Sequence, residues 1–156
     1  MANEKLTVTS AAFDDGGMMQ DRQGYNYENV SPQIAWLKTP AGTKSIALIC
    51  DDPDAPGGDW VHWVIFNIPA TAGGLPEGVP HGEMLPDGSI QGVNDFDLLG
   101  YDGPAPPSGV HRYIFKVFAL DTILGLKPGA SKAQLLKAMG GHVLAEGRIV
   151  GRFGKE

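Results

Sequence analysis

The sequence predicts a mainly β protein, an antiparallel sheet sandwich carrying short peripheral helices. Three observations predict it. Apolar segments of strand length recur between turn-rich stretches, and several are rich in β-branched and aromatic residues. The 22 glycines and 12 prolines are scattered without period, which fits many turns and excludes collagen-like or low-complexity chains. Only one late stretch has helical periodicity, and no strand–helix–strand rhythm appears, which argues against a doubly wound sheet. A length of 156 residues suits one domain with its own core, taken as residues 1–156 without linker or internal repeat.

The elements follow in order. Leu6-Thr7-Val8-Thr9 alternates and predicts a first strand. Residues 14–33 are polar and glycine-rich and predict a long loop, anchored by Tyr25 and Tyr27; long ordered loops in compact domains often carry function. Ile34–Leu37 is a short strand, and Pro40–Thr43 a turn. Ser45–Cys50 is almost continuously apolar and predicts a central strand. Val61–Ile68 is another strand, ended by Pro69. Residues 70–92 read as a loop with a short pair around Ser89-Ile90-Gln91. Tyr113–Leu120 is a long strand with Lys116 toward solvent. Ser131 is a helix N-cap with Gln134 as its capping-box partner. Leu135 or Leu136, Met139 and Val143 continue at helical spacing, Gly140-Gly141 interrupts, and Gly147 ends the helix. Arg148–Phe153 is the last strand.

Charge and cysteine content narrow the function. The formal net charge is −6, and Arg and Lys form no patch or stripe. Nucleic acid and anionic membrane surfaces are therefore not expected partners. The single cysteine, Cys50, lies inside an apolar strand and is expected as a buried thiol. Met1-Ala2-Asn3-Glu4-Lys5 lacks the apolar core of a signal peptide, and no stretch has the ~18 apolar residues of a membrane helix. A cytoplasmic location is the resulting expectation.

Two segments concentrate the chemistry. Residues 51–69 place Asp51, Asp52 and Asp54 around Pro53 and Pro56, then send Trp60, His62 and Trp63 into a strand. Residues 101–121 repeat that grammar: a Pro/Gly turn, then His111, Arg112 and Tyr113, then an apolar strand. Strict alternation places Trp60 and His62 on one face and Trp63 on the other. It places His111 with Tyr113 and turns Arg112 away, toward a structural ion pair or the capping of backbone carbonyls. His81 reads as a solvated loop residue and His142 as a structural one.

Metal binding would need His62, His111 and a carboxylate to converge, yet no compact ligand spacing is present. Hydrolysis could use a His–Asp base, but no serine stands in a nucleophile elbow and Cys50 has no activating partner. Binding of a small anion or zwitterion fits better. Imidazole N–H groups and backbone amides donate to phosphate oxygens, Tyr113 adds a hydroxyl, and the carboxylates orient the imidazoles or accept from an ammonium.

Asp52-Pro53-Asp54-Ala55-Pro56, His62-Trp63 and Gly109-Val110-His111-Arg112-Tyr113 resemble the phosphatidylethanolamine-binding protein family, which includes the Raf kinase inhibitor proteins. The likeness runs from Leu6–Ser10 and Asn29–Pro32 through Asn67–Pro69, Leu75–Gly78 and Gly92–Phe96 to Gly141–Ala145, and the ending looks like the compact prokaryotic branch. The resemblance implies a Greek-key antiparallel β-fold with a small anion pocket. It carries over Asp52, Asp54, His62, His111 and Tyr113 as ligand-binding groups, and Ala55, Trp60, Ala105, Pro106 and Pro107 as pocket wall. It implies no common reaction, no cofactor and no metal. Its ligand class is phosphate or a phosphorylethanolamine-like headgroup. Inhibition of a kinase or serine protease through protein contacts, and an enzyme of unknown reaction, are the alternatives, and a homodimer through the early aromatic loop stays open. Many prokaryotic relatives carry cysteine where this chain has Tyr25 and Ala105, so no redox role is expected there; Tyr25 is expected to pack over the pocket rim near Ala105. The long C-terminal segment of animal members has no counterpart, which implies a more open site.

Overall fold

The structure is a computed structural model and describes residues 4–155. Residues 1–3, on which the signal-peptide reading rests in part, lie outside the described residues. Among the described residues, nine strands form two sheets. The large sheet has the order β1-β9-β8-β4-β5-β7, from Glu4–Lys5 (β1), Val143–Lys155 (β9), Gly109–Leu120 (β8), Ser45–Asp52 (β4), Trp60–Pro69 (β5) and Ile90–Gln91 (β7). The small sheet has the order β2-β3-β6, from Thr7–Thr9 (β2), Ile34–Leu37 (β3) and Gly74–Leu75 (β6). Pairing is antiparallel except between β1 and β9, which run parallel. β8 returns to pair with β4 after β5 and β7 have been laid down, the long return connection of a Greek key.

The side-chain alternation of β4 shows how the layers are made. Ile46, Leu48 and Cys50 join Ile34, Trp36, Leu75, Phe115 and Ile149 in the core between the sheets. Ala47 and Ile49 point the other way, into a second core with Leu135 and Met139 of the helix α1, Lys132–Met139. Both faces of β4 are buried, which explains its unbroken apolar run. Cys50 lies in the inter-sheet core as a free thiol, and burial pushes its pKa well up.

The helix begins as the sequence predicts. Ser131 accepts from the Gln134 amide, and the Gln134 side chain accepts from the Ser131 amide at 2.9 Å. Its end does not. The helix stops at Met139, the Gly140–His142 turn reverses the chain, and β9 begins at Val143. Gly147 is inside that strand rather than at a helix end. A Cβ there would stand 2.2 Å from the Leu6 carbonyl oxygen, so glycine lets β9 lie against the chain entering β2. Val143 repeats the helical spacing only by coincidence with the buried side of a strand. Lys116 reaches back to Asp51 at 3.1 Å instead of standing free in solvent.

Candidate functional site

The site lies where the ends of β4, β5 and β8 meet at one edge of the sandwich. Asp52 ends β4, Trp60 and His62 begin β5, and His111 and Tyr113 begin β8. Local irregularity aims these groups. The β4–β5 register passes from Cys50↔Trp63 to Asp51↔Val61, leaving His62 as the extra residue of a β-bulge. A bulge breaks alternation. Trp63 packs in the inter-sheet core while the adjacent His62 lines the cavity on that same side. The expected opposition of His62 and Trp63 therefore fails, whereas Trp60 and His62 do share the cavity.

That cavity encloses about 220 Å³ and is lined by Asp52, Ala55, Pro56, Trp60, His62, Phe96, Ala105, Pro106, Pro107, His111 and Tyr113. The structure thus brings together, on one hollow, every residue expected as site or wall except Asp54. The Asp54 carboxylate is held by Arg112 instead, with Nε at 3.0 Å from one oxygen and Nη2 at 2.9 Å from the other. This bidentate hydrogen bonding by Arg112 holds the Asp54 carboxyl down at about 2. Asp54 braces the turn that presents Ala55 and Pro56; it does not reach the cavity.

Both imidazoles are buried and each is fixed through Nδ1. His111 Nδ1 donates to Asp52 Oδ2 at 2.6 Å. His62 Nδ1 donates to the Asp102 carbonyl at 2.6 Å. A carbonyl can only accept, so the hydrogen sits on Nδ1 of His62 and its Nε2 is left at the cavity. Burial lowers the His62 pKa, opposed by the bond to Asp102 and by the charges of Asp52, Asp102 and Asp95. The free ring is consequently neutral near pH 7 and offers a lone pair, not a donor.

Asp52 is fully engaged as an orienting group. Its Oδ1 accepts from the Asp54 amide at 2.7 Å while Oδ2 holds His111. Burial, with Asp52 alongside, pushes the Tyr113 hydroxyl far above its ordinary range, so it stays a protonated donor. The His62 and Tyr113 rings meet edge-on at 5.1 Å. Trp60 meets Phe96 edge-on at 5.6 Å, forming an aromatic corner beside the polar groups.

Phe96 and Pro56 are wall residues that sequence reasoning did not single out. Pro56 closes the Asp-Pro turn and so had a signal; Phe96 lay in a loop without periodicity. Tyr25 supports this wall from behind, stacking on Phe96 at 4.6 Å and donating its amide to the Pro104 carbonyl at 2.8 Å. Its contact with the rim runs through Phe96, and Tyr25 is absent from the cavity lining. His81, expected to be solvated, bonds the buried Asp102 at 3.0 Å. His142 bonds Asp121 at 2.8 Å, far from the cavity, as a structural group. Among the described residues no cluster of His, Cys, Asp and Glu suits a metal ion, and no helix is long and apolar enough to cross a membrane.

Comparison with known proteins places the chain in a family. The family model described as phosphatidylethanolamine-binding protein matches residues 9–154. A UPF0098 protein of Methanothermobacter thermautotrophicus is 54% identical over 148 residues, covering 95% of this chain and 98% of that protein. The UPF0098 protein YbhB of Escherichia coli is 47% identical over 157 residues, covering 95% and 99%. The crystal structure of a putative phosphatidylethanolamine-binding protein homologue from Chlamydia trachomatis superposes with a TM-score of 0.89 at 33% identity, covering 99% of this chain and 100% of that one. That of Escherichia coli YbcL, described as a new member of the mammalian family, gives a TM-score of 0.89 at 34% identity, covering 97% and 99%. With nearly the whole chain matched in sequence and in fold, this protein belongs to the phosphatidylethanolamine-binding protein family.

Proposed function

We propose that the protein binds a small phosphate-bearing or zwitterionic ligand without transforming it, and that binding takes up a proton. The observation that carries this reading is the shared Nδ1 anchoring of His62 and His111 at one cavity. Each ring turns Nε2 toward the hollow, where protonation converts it into a charged donor. An imidazolium pair flanked by the Tyr113 hydroxyl supplies three donors to an anion's oxygens. Asp52 stabilises the cationic His111 from behind, as an orienting carboxylate does. The volume suits an inorganic phosphate or a compact headgroup. An ammonium on such a headgroup would find the aromatic corner of Trp60 and Phe96, a cation–π environment.

Family membership supports binding over catalysis, and the site's own chemistry agrees. Cys50 is sealed in the core, and the Asp52 carboxylate at the cavity is engaged in orientation. Calorimetric titration with phosphate and phosphorylethanolamine tests the proposal. Saturable binding that disappears in the His62→Ala, His111→Ala double variant is expected. Absence of binding at millimolar ligand between pH 5 and 8 would overturn it.

A second reading, inhibition of a kinase or serine protease through protein contacts, draws support from the exposed aromatics at the rim. Trp60 is 40% exposed and Tyr25 is 40% exposed, and both contact the wall residue Phe96. Under that reading, inhibition of a purified kinase or protease would weaken when Tyr25, which does not line the cavity, is changed to serine while phosphate binding persists.

A further inference from the structure

Asp102 is a second buried carboxylate behind the site, only 1% exposed. Its main chain brackets His62 from both sides. The Asp102 amide donates to the His62 carbonyl at 3.1 Å, and the Asp102 carbonyl accepts from His62 Nδ1 at 2.6 Å. Its side chain is clamped by donors from three separate segments. Asn29 Nδ2 donates to Oδ1 at 2.8 Å. Asn94 Nδ2 donates to Oδ2 at 2.7 Å, and His81 Nε2 to that same oxygen at 3.0 Å. The clamping amides hold other parts of the site as well. Asn29 Oδ1 accepts from Gly103 at 2.7 Å, at the root of the Ala105–Pro107 wall. Asn94 Oδ1 accepts from Phe96 at 2.8 Å.

Resting on the anion-binding reading, we propose that Asp102 is a positioning residue for His62, fixing its tautomer and supplying the negative charge that stabilises the imidazolium formed when an anion binds. The charged and titratable groups around His62 make Asp102 distinctive. Asp52 at the end of β4 is committed to His111 and the Asp54 amide. Asp95, in the loop after β7, is committed to the Val61 amide at 2.6 Å. His111 and Tyr113 of β8 line the cavity opposite. Asp102 accepts the tautomer-setting bond from His62 Nδ1 through its main-chain carbonyl, and its carboxylate adds a charge that, with those of Asp52 and Asp95, favours the protonated ring. Removing the Asp102 charge takes one stabilising field from the imidazolium and leaves the main-chain bond to Nδ1 in place. His81, with its side chain 45% exposed, is the titratable donor on Asp102 and links this buried charge to the surface.

The experiment is a sulfate titration of wild type and Asp102→Asn between pH 5 and 8, sulfate being an anion whose charge is constant over that range. If binding requires protonated His62 and the variant ring protonates less readily, sulfate affinity at pH 7 falls several-fold and the pH profile moves toward acid, while the acid-limit affinity is retained. A uniform loss at every pH, or an unmoved profile, would overturn the proposal. Should the variant fail to fold because three donors face an amide, the wild-type complex decides. Ring ¹⁵N spectra at pH 7 with saturating sulfate are expected to show both nitrogens of His62 protonated, and a neutral ring would overturn the inference. No sulfate or phosphate binding to the wild type at any pH overturns the binding reading and this one with it; binding with an unmoved Asp102→Asn profile overturns this one alone.

Discussion

Asp51 and Asp52, consecutive on β4, serve opposite faces of the sheet: Asp51 Oδ2 holds Lys132 Nζ at 2.6 Å, and Asp52 Oδ2 holds His111 Nδ1 at 2.6 Å. Strand alternation makes this division of labour automatic. The first carboxylate docks the N-terminal turn of α1 on the sheet, and the second builds the cavity. One strand end therefore ties the helix layer to the site.

The helix-side pair is expected to matter for stability. Burial alone would lower the Lys132 pKa, but its bonds to Asp51 and Asp59 outweigh that and raise it. Lys132→Met removes the shorter of two ammonium contacts from an aspartate only 1% exposed, whose Oδ1 already lacks a partner. Lys116 remains, so the loss should be about 2 kcal/mol rather than the larger cost of stranding a buried charge completely. For a domain of this size that is a fall of roughly 4–8 °C in Tm. Calorimetry checks it, and anion affinity should stay within about twofold of wild type because Lys132 is remote from the cavity.

Replacing the cavity-side carboxylate should have the converse outcome. Asp52→Asn keeps the shape of the side chain but removes the carboxylate that accepts from His111 Nδ1 and fixes that ring at the cavity. Loss of such an orienting partner typically costs about tenfold or more. Phosphate titration at pH 7 should show at least that loss, with the His111 ring signals moving in the free protein. Unchanged affinity would mean that the Asp52 carboxylate does not orient His111 for binding.

The lowered proton affinity of His62 predicts the pH dependence of both binding and stability. For sulfate, affinity should rise toward acid by up to about tenfold per pH unit while the free ring is neutral and the bound ring charged. For stability the sign is opposite. A histidine whose folded pKa lies below its unfolded value takes up a proton more readily when unfolded. Its contribution is complete above the unfolded value of about 6.5 and diminishes as pH falls toward the lower folded value. Thermal melts with and without sulfate should thus diverge below pH 6.5, with sulfate protection growing as the free protein weakens.

Gly103 shows that the wall depends on close backbone approach. A Cβ there would stand 1.9 Å from the Gln23 carbonyl oxygen and 3.0 Å from the Tyr101 hydroxyl. Gln23 is buried and its carbonyl accepts from that hydroxyl at 2.8 Å, so neither can yield cheaply. Gly103→Ala should cost ~1–3 kcal/mol and displace the Ala105–Pro107 wall. Urea unfolding gives the first quantity, and the phosphate affinity, expected to fall several-fold, gives the second.

Much of this was legible in the sequence, for definable reasons. Strong patterns carried the strands: the apolar run of β4, the alternation of β8 and the capping box at Ser131. The Asp-Pro turn and the His-Arg-Tyr strand announced the two halves of the cavity. What escaped was everything set by departures from periodicity. The bulge at His62 put consecutive residues on one side of the sheet, which alternation forbids. Phe96 and Asp102 come from loops, whose positions depend on distant partners such as Tyr25, Asn29 and Asn94. The end of α1 was misplaced because Val143 suits either period, and Gly147 signals close packing as readily as helix termination.

The Asp54–Arg112 pair braces the cavity wall from outside. The carboxylate does not line the cavity, yet its turn presents Ala55 and Pro56 to it. Arg112→Lys keeps the charge but cannot reproduce the planar two-point bond. Because the pair is largely solvent-exposed, stability should change by less than about 1 kcal/mol. The titration should change more clearly. With Arg112 the Asp54 carboxyl sits at about 2, below its ordinary 3.8. The pair's contribution is therefore present above pH 3.8 and lost as pH falls through about 2. In the lysine variant the carboxyl ¹³C signal of Asp54 should titrate closer to 3.8, and the acid limb of stability should flatten. A several-fold loss of phosphate affinity alongside would mean that the turn needs its brace to shape the wall; retained affinity would mean that Pro53 and Pro56 suffice.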